Sequence, residues 1–306
     1  MGLLCLFILC IALFIGGMAV MRNGLFKLSA ESLKRWLASM TDTPLKGLLA
    51  GAVITALLHS SAAVMVLTIG LISARLLTFP RSIGIILGTN IGTTFTLEMI
   101  TINIDIFIVP FAILGAVLLF SPKAAYRNSG AISLGMAAVF AAMRGFTFIA
   151  EPVTSLPQVG SSLQMMAGSH FWSVIAGAAI TAAIQSSTAV TGIVMGFLSE
   201  DILKLDSGLA VMLGANIGTC ITALLASIGA GREAKLTAFA HVWLNIAGVS
   251  AFYPFIDQYA QITSLTSSHP DVQLAHASVL FNAITSLVVL PFAQRFGKMI
   301  EFLHGR

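Results

Sequence analysis

Charge is what this sequence has least of. Only 9% of its 306 residues are Asp, Glu, Lys or Arg, against about 25% in soluble domains. With 57% of the chain apolar, a soluble fold of this length has too little polar surface to cover itself, which excludes a soluble enzyme and a nucleic-acid-binding module. Cysteine is also scarce. Cys5, Cys10 and Cys220 lie in apolar runs with no Cys-x-x-Cys pair, which leaves neither a disulfide framework nor a zinc site. No Pro/Ser-rich linker or low-complexity tract divides the chain. Carboxylates are nearly missing from the apolar runs, and Glu98 lies toward the end of its own run, so a carboxylate proton relay has poor support. No Lys or Arg precedes the first apolar run, and Arg22 follows it. That order argues against a cleaved signal peptide and for a retained first helix whose C-terminal end faces the cytoplasm.

The apolar runs occupy roughly 3–21, 44–79, 82–102, 106–121, 130–150, 171–198, 208–229, 237–256 and 274–293. At about 20 residues per hydrocarbon crossing, the chain has room for around ten passages. The expectation is an all-α integral membrane protein: a single transmembrane transport domain over 1–306, without a soluble appendage, in the cell membrane.

The sequence repeats itself. A shift of 126 residues places GAVITALLHSSAAV (51–64) on GAAITAAIQSSTAV (177–190) and GTNIGTT (88–94) on GANIGTC (214–220), with 18 identities in 44 ungapped positions. Chance apolar similarity would not keep Ser60/Ser186, Ser61/Ser187, Asn90/Asn216 and Thr93/Thr219 in register. The expected units are repeat 1 over about 3–121, repeat 2 over about 130–256, and an extra C-terminal helix at about 274–293.

The run from Pro44 to Phe79 holds 36 residues, about 54 Å as one helix against a hydrocarbon core of about 30 Å. His59, Ser60 and Ser61 sit near its middle, so folding back at that triplet would give two half-helices meeting at a tip inside the membrane, a backbone arrangement tolerated only within protein or beside water. The second copy, 171–198, follows by homology. Loop charges bear on this. With the N-terminus outside and both runs re-entrant, 14 basic residues lie inside (Arg22, Lys27, Lys34, Arg35, Lys46, Arg75, Arg81, Lys123, Arg127, Arg232, Lys235, Arg295, Lys298, Arg306) and only Lys204 outside. Single crossings would change 14 to 1 into 10 to 5, which the positive-inside rule disfavours. Two complete crossings per run would give the same charge split as re-entrant hairpins. In either case the two copies have opposite orientation and the C-terminus is cytoplasmic.

Inverted-topology repeats with polar, interrupted helices at mid-membrane are a plan of secondary transporters. Each unit therefore presents a re-entrant hairpin tip and an interrupted helix: His59, Ser60 and Ser61 with Asn90, Thr93 and Thr94, and Gln185, Ser186, Ser187 and Thr188 with Asn216 and Thr219. These oxygen-rich groups carry no formal negative charge. Hydroxyl, amide and carbonyl oxygens suit a hard monovalent cation, and half-helix N-termini suit an oxyanion. Other roles are open for several residues. Gly88-x-x-x-Gly92 and Gly214-x-x-x-Gly218 are also small-residue packing motifs. Arg144 suits either an anion or a snorkelling position. His241 with Asn245, and His276 with Asn282, suit helix–helix hydrogen bonding. An intramembrane hydrolase built on Ser60 or Ser61 with His59 as base is opposed by Gln185 in the duplicate copy and by the lack of an acidic orienter.

The doubled Ser-Ser unit, GTNIGTT and GANIGTC, Phe281-Asn282 and FIGGMAVMRNGL (14–25) closely resemble the sodium/phosphate cotransporter type II family over essentially the whole chain. That resemblance implies coupling of sodium to inorganic phosphate, with sodium the coupling ion and no other cofactor, and sodium ligands among the same Ser, Thr, Asn and Gln residues. The family pattern is Gln-Ser-Ser-Ser in both repeats. Gln185, Ser186 and Ser187 match it, with Thr188 a conservative replacement, whereas His59 stands for Gln and Ala62 for the third Ser. The resemblance is to a bacterial member expected to be without the PhoU-like helical extension frequent among bacterial relatives. A carrier for another oxyanion is the alternative of the same class.

The charge split makes a topological prediction. Cysteines introduced at Lys34 and Arg81 react with an impermeant thiol reagent from the cytoplasmic side, and cysteines at Ser162 and Ser267 from outside. Labelling of Lys34 and Arg81 from opposite sides would make the first polar run a single crossing.

Overall fold

The computed structural model describes residues 2–39, 41–102 and 105–305. Arg306 and the Lys34 side chain, both counted in the charge split, lie outside what is described. Every element is helical. In chain order they are α1 (Gly2–Ser39), α2 (Pro44–Leu58), α3 (Ser61–Ser73), α4 (Phe79–Thr101), α5 (Asp105–Leu119), α6 (Ala124–Thr154) and α7 (Pro157–Gly168), then α8 (His170–Ile184), α9 (Ser187–Ser199), α10 (Leu205–Ser227), α11 (Arg232–Phe252), α12 (Ile256–Ser264), α13 (Pro270–Val289) and α14 (Ala293–His304). Among the described residues, six helical stretches are long and apolar enough to cross a membrane: 2–29, 79–101, 124–154, 205–227, 232–264 and 270–304. The chain is a multi-pass, all-α membrane protein.

Local sequence explains where the helices start and bend. Thr43 caps α2 through its hydroxyl, which accepts from the Lys46 amide at 3.3 Å, and Pro44 occupies the first turn, where a missing N–H costs nothing. Pro254 and Pro291 each sit in a short 3-10 turn, Tyr253–Phe255 and Leu290–Phe292. A proline removes a donor and crowds the preceding turn, so α11 and α13 end there and the chain turns into α12 and α14.

The duplication appears in the helices themselves. α8, α9 and α10 begin and end 126 residues after α2, α3 and α4. Among the described residues, the non-glycine positions with positive φ are His59, Arg75, Gln185 and Asp201, two pairs at the same spacing. The Gly-x-x-x-Gly motifs are packing surfaces in both copies. A Cβ on Gly88 or Gly92 would run into the Leu48 or Ala52 carbonyl oxygen of α2, and one on Gly214 or Gly218 into the Val174 or Ala178 carbonyl oxygen of α8. Each long helix thus lies backbone-to-backbone on the first half of its broken partner, as small residues permit.

One expectation needs correction. α4 and α10 run uninterrupted through Asn90–Thr94 and Asn216–Thr219. The hydroxyls there bond within their own helix, Thr93 to the Thr89 carbonyl at 2.8 Å, Thr94 to that of Ile91 at 2.7 Å and Thr219 to that of Ala215 at 2.9 Å, a pattern that satisfies the side chain without opening the backbone. Within the two duplicated polar segments, among the described residues, the helix breaks lie at His59–Ser60 and Gln185–Ser186. α1 also continues well beyond the apolar run, to Ser39.

Two buried apolar clusters support the polar middle. One gathers Phe14, Phe146, Leu209, Leu213 and Phe281 around α6, α9, α10 and α13. The other gathers Ile54, Leu58, Met65, Ile83 and Leu87 around α2, α3 and α4. Because Gly214 touches backbone, Gly214→Ala lowers stability by about 1–3 kcal/mol, read as a reduced melting temperature of the detergent-solubilised protein. Gly70→Ala, whose added Cβ meets no atom within 4 Å, does not lower it, since alanine is the better helix former.

Candidate functional site

Each break is built alike. α2 ends on His59 in the left-handed conformation (φ 50°), and α8 on Gln185 (φ 58°). Such backbone costs of the order of 1–2 kcal/mol in a non-glycine residue, and here it recurs at the duplicated position. The next residue caps the second half-helix: Ser60 Oγ accepts from the Ala63 amide and Ser186 Oγ from the Ala189 amide, both at 3.2 Å. Other first-turn amides of α3 and α9 have no acceptor inside their helix and add the positive end of its dipole.

Both breaks face one cavity of about 520 Å³. The first contributes His59, Ser60 and Ser61, the second Gln185, Ser186, Ser187 and Thr188, and the long helices α4 and α10 add Thr93 and Thr219. Nine of the twelve residues singled out from sequence thus line it. Thr94, Asn90 and Asn216 do not. Asn216 bonds back to the Met212 carbonyl at 2.9 Å. Asn90 points into a buried polar knot, where its Nδ2 donates to Asn245 Oδ1 at 3.3 Å and its Oδ1 lies 3.3 Å from His241 Nε2. Asn245 in turn donates to the His241 carbonyl at 2.9 Å and to Cys220 Sγ at 3.4 Å. His241 and Asn245 therefore tie α4, α10 and α11 together, the helix–helix role foreseen for them. Asn282 instead bonds within α13, to the Ser278 carbonyl at 2.9 Å, and His276 meets Glu98 of α4 at 3.7 Å.

Arg22 escaped the sequence reading, which placed it among the cytoplasmic flanking charges. It lies inside the first membrane segment, half-buried, and its guanidinium Nη1 donates to Ser60 Oγ at 3.1 Å. The signal was available: Gly24, Leu25 and Phe26 continue an apolar pattern past it. Among the described residues lining the cavity, Arg22 is the one fixed charge, and no carboxylate accompanies it. The site therefore combines two helix N-termini, a guanidinium and neutral hydroxyl and amide oxygens, a donor set for an oxyanion with a neutral-oxygen set suited to a monovalent cation. His59 Nδ1 is 3.0 Å from Thr96 Oγ1 and the ring lies against Phe95, so this nitrogen is directed at a threonine of α4 and not at Ser60 or Ser61.

A second cavity, about 740 Å³, is lined by Arg144, Glu151, Ser199, Glu200, His269 and Asp271 among others. It reaches α9 at its C-terminal end and α4 at residues 100–101. The first cavity touches α9 at its N-terminal end and α4 at Thr93. The two are thus offset along the same helices by roughly 15 Å at 1.5 Å per residue.

Comparison with known proteins agrees with this donor set. The chain matches the Na+/Pi-cotransporter family over residues 13–147 and 154–268. It is 38% identical over 293 residues to the uncharacterized protein YqeW of Bacillus subtilis, covering 96% of this chain and 95% of that one. It is 23% identical over 295 residues to the putative inorganic phosphate export protein YjbB of Escherichia coli, covering 95% of this chain but only 54% of that protein's length. A segment of 87 residues is 36% identical to the human sodium-dependent phosphate transport protein 2C, covering 27% of this chain and 14% of that one. No solved structure matches.

The different surroundings of the two asparagines separate their roles. Asn90→Ala strips a buried network and lowers stability by about 1–3 kcal/mol, measurable as a reduced melting temperature, whereas Asn216→Ala removes only a bond to its own helix and leaves the melting temperature within a degree or so of the parent.

Proposed function

The chain belongs to the Na+/Pi-cotransporter family, a family of secondary transporters for phosphate or related anions rather than enzymes, and from that premise we propose that it couples sodium to inorganic phosphate by alternating access. The observation that carries this reading is the convergence of both breaks and Arg22 on one cavity with no carboxylate among its described lining residues. Phosphate sits between the α3 and α9 N-termini, held by Ser60, Ser61, Ser186 and Ser187 and neutralised by Arg22. Sodium takes neutral oxygens of the same cavity, from Gln185, Thr188, Thr93 and Thr219, and each ion lowers the cost of holding the other in low dielectric.

In the proposed topology the N-terminus is outside, and α2–α3 and α8–α9 are re-entrant hairpins of opposite orientation. Half-helices of 15 and 13 residues span about 20 Å each, short of a core of about 30 Å, which supports re-entrance over two full crossings. The transport domain consists of repeat 1 (about 3–121), repeat 2 (about 130–256) and a C-terminal helix. Phe26, Val66 and Leu67 line the first cavity on the side where α1 and α3 run toward the cytoplasm, so this arrangement is open inward, and the cavity around Arg144 lies on the outer side.

The duplicated glycines Gly70 and Gly196 support an alternating mechanism. A Cβ on Gly196 would lie 3.0 Å from Phe146 Cβ, so α9 is packed on α6, while one on Gly70 of α3 would meet nothing within 4 Å. One design is thus closed in the second half and open in the first, and transport exchanges the two.

Phosphate counterflow in proteoliposomes, with and without a sodium gradient, tests the function. Sodium-stimulated phosphate exchange is expected. Exchange of sulfate or another oxyanion without phosphate would favour the rival substrate, and no anion movement would refute the reading. Ser187→Ala, which removes one oxygen from the site, weakens exchange by about tenfold or more with normal membrane insertion. Gly70→Leu abolishes exchange while the protein keeps its melting temperature, because the added bulk blocks closure of α3 without touching the arrangement seen here.

A further inference from the structure

The sequence repeats a second, shorter pattern. Ala19-Val20-Met21-Arg22 on α1 recurs as Ala141-Ala142-Met143-Arg144 on α6, 122 residues later. The two helices occupy matching places, each preceding a broken helix pair, and they lie antiparallel against one another, with Gly17 against Gly135 and Gly145 against Cys10. Because they run in opposite directions, the two arginines sit toward opposite ends of the pair. Arg22 lines the cavity that holds both breaks, and Arg144 lines the second cavity.

We propose that Arg22 and Arg144 are a matched pair of anion-anchoring residues, one for each side of access, with Arg144 taking at Ser186 in the alternate state the place that Arg22 holds at Ser60. The inference rests on the transport reading and deepens it. Three observations carry it together. The arginines recur in the same Ala-x-Met-Arg context. Ser186 repeats Ser60 in conformation and capping bond. The halves are in two different arrangements of that common design, since Met143, the residue before Arg144, and Phe146 pack on Gly192 and Gly196 of α9, while the equivalent Gly70 of α3 is open. Exchanging the arrangements withdraws α9 from α6, opens the space between Arg144 and Ser186, and closes α3 onto α1 over Arg22.

The surroundings of the two arginines differ in a way that suits this exchange. Arg22 faces hydroxyls and amides in its cavity. Arg144 shares its cavity with Glu151, Glu200, Asp271 and His269. An oxyanion arriving from outside passes these carboxylates with its sodium and meets the guanidinium, a bidentate donor matched to phosphate. An anion bound at the same tips from inside meets Arg22 instead.

The test measures the phosphate concentration giving half-maximal transport from each face, in right-side-out and inside-out membrane vesicles at equal sodium. Arg22→Gln is expected to raise the ratio of inner-face to outer-face values by about tenfold, and Arg144→Gln to lower it by about tenfold, the effect of one charge-assisted hydrogen bond. Arg22→Lys and Arg144→Lys, which keep the charge but lose the bidentate fork, shift the ratio in the same directions by less than the Gln substitutions do. Because it is a ratio, the readout is independent of how much protein inserts. Equal shifts on both faces, or an Arg144→Gln ratio like that of the parent, would overturn the pairing while leaving the transport function standing. A parent protein that moves no phosphate from either face would instead overturn the transport reading, and the pairing with it.

Discussion

A helix broken inside a membrane leaves backbone donors and acceptors that lipid cannot satisfy. This chain breaks its helices at His59–Ser60 and Gln185–Ser186, and in the proposed topology both breaks lie within the membrane, where protein must solvate them. Ser60 and Ser186 turn back to cap the second half-helices, His59 and Gln185 accept a left-handed backbone to make the turn, and the glycines of α4 and α10 let an unbroken helix lie flush against the first half of each broken one. The remaining first-turn amides point their positive ends toward a shared cavity. What looks like a structural liability thus adds positive potential to the cavity that Arg22 also lines.

The same constraint accounts for the separation of roles between neighbouring polar residues. The GTNIGTT and GANIGTC segments look equivalent on paper, yet in each only one threonine, Thr93 or Thr219, lines the cavity. Asn90 is spent on His241 and Asn245, holding α4 to α11, and Asn216 on its own helix. Symmetry of sequence therefore does not extend to symmetry of environment. The open Gly70 beside the packed Gly196 is the same lesson at the level of whole helices, and it suits a machine whose halves exchange conformations.

Much of this was legible in the sequence. The 36-residue run with a polar centre exceeded the thickness of a bilayer, so a break near His59 followed from length alone, and the 126-residue repeat transferred it to Gln185, where a shorter run was ambiguous. Two features were not legible, for physical reasons. Uninterrupted α4 and α10 were hidden because threonine hydroxyls satisfy themselves on their own helix, so a cluster of polar residues need not open the backbone. Arg22 was hidden because a basic residue at the end of an apolar run reads as a flank. Gly24, Leu25 and Phe26 hint that the apolar pattern continues past it, but only α1 running on to Ser39 and the bond from Arg22 to Ser60 show that the charge is held within a helix and faces the cavity.

Equilibrium binding of radiolabelled phosphate to the purified protein in detergent, with and without sodium, addresses the site without depending on vesicles or on transport. Saturable binding that requires sodium, and that disappears when Ser60 and Ser186 are both changed to Ala in a protein of unchanged fold, is the expected result. Phosphate binding that survives the double substitution undiminished would contradict the assignment of the paired breaks as the anion site.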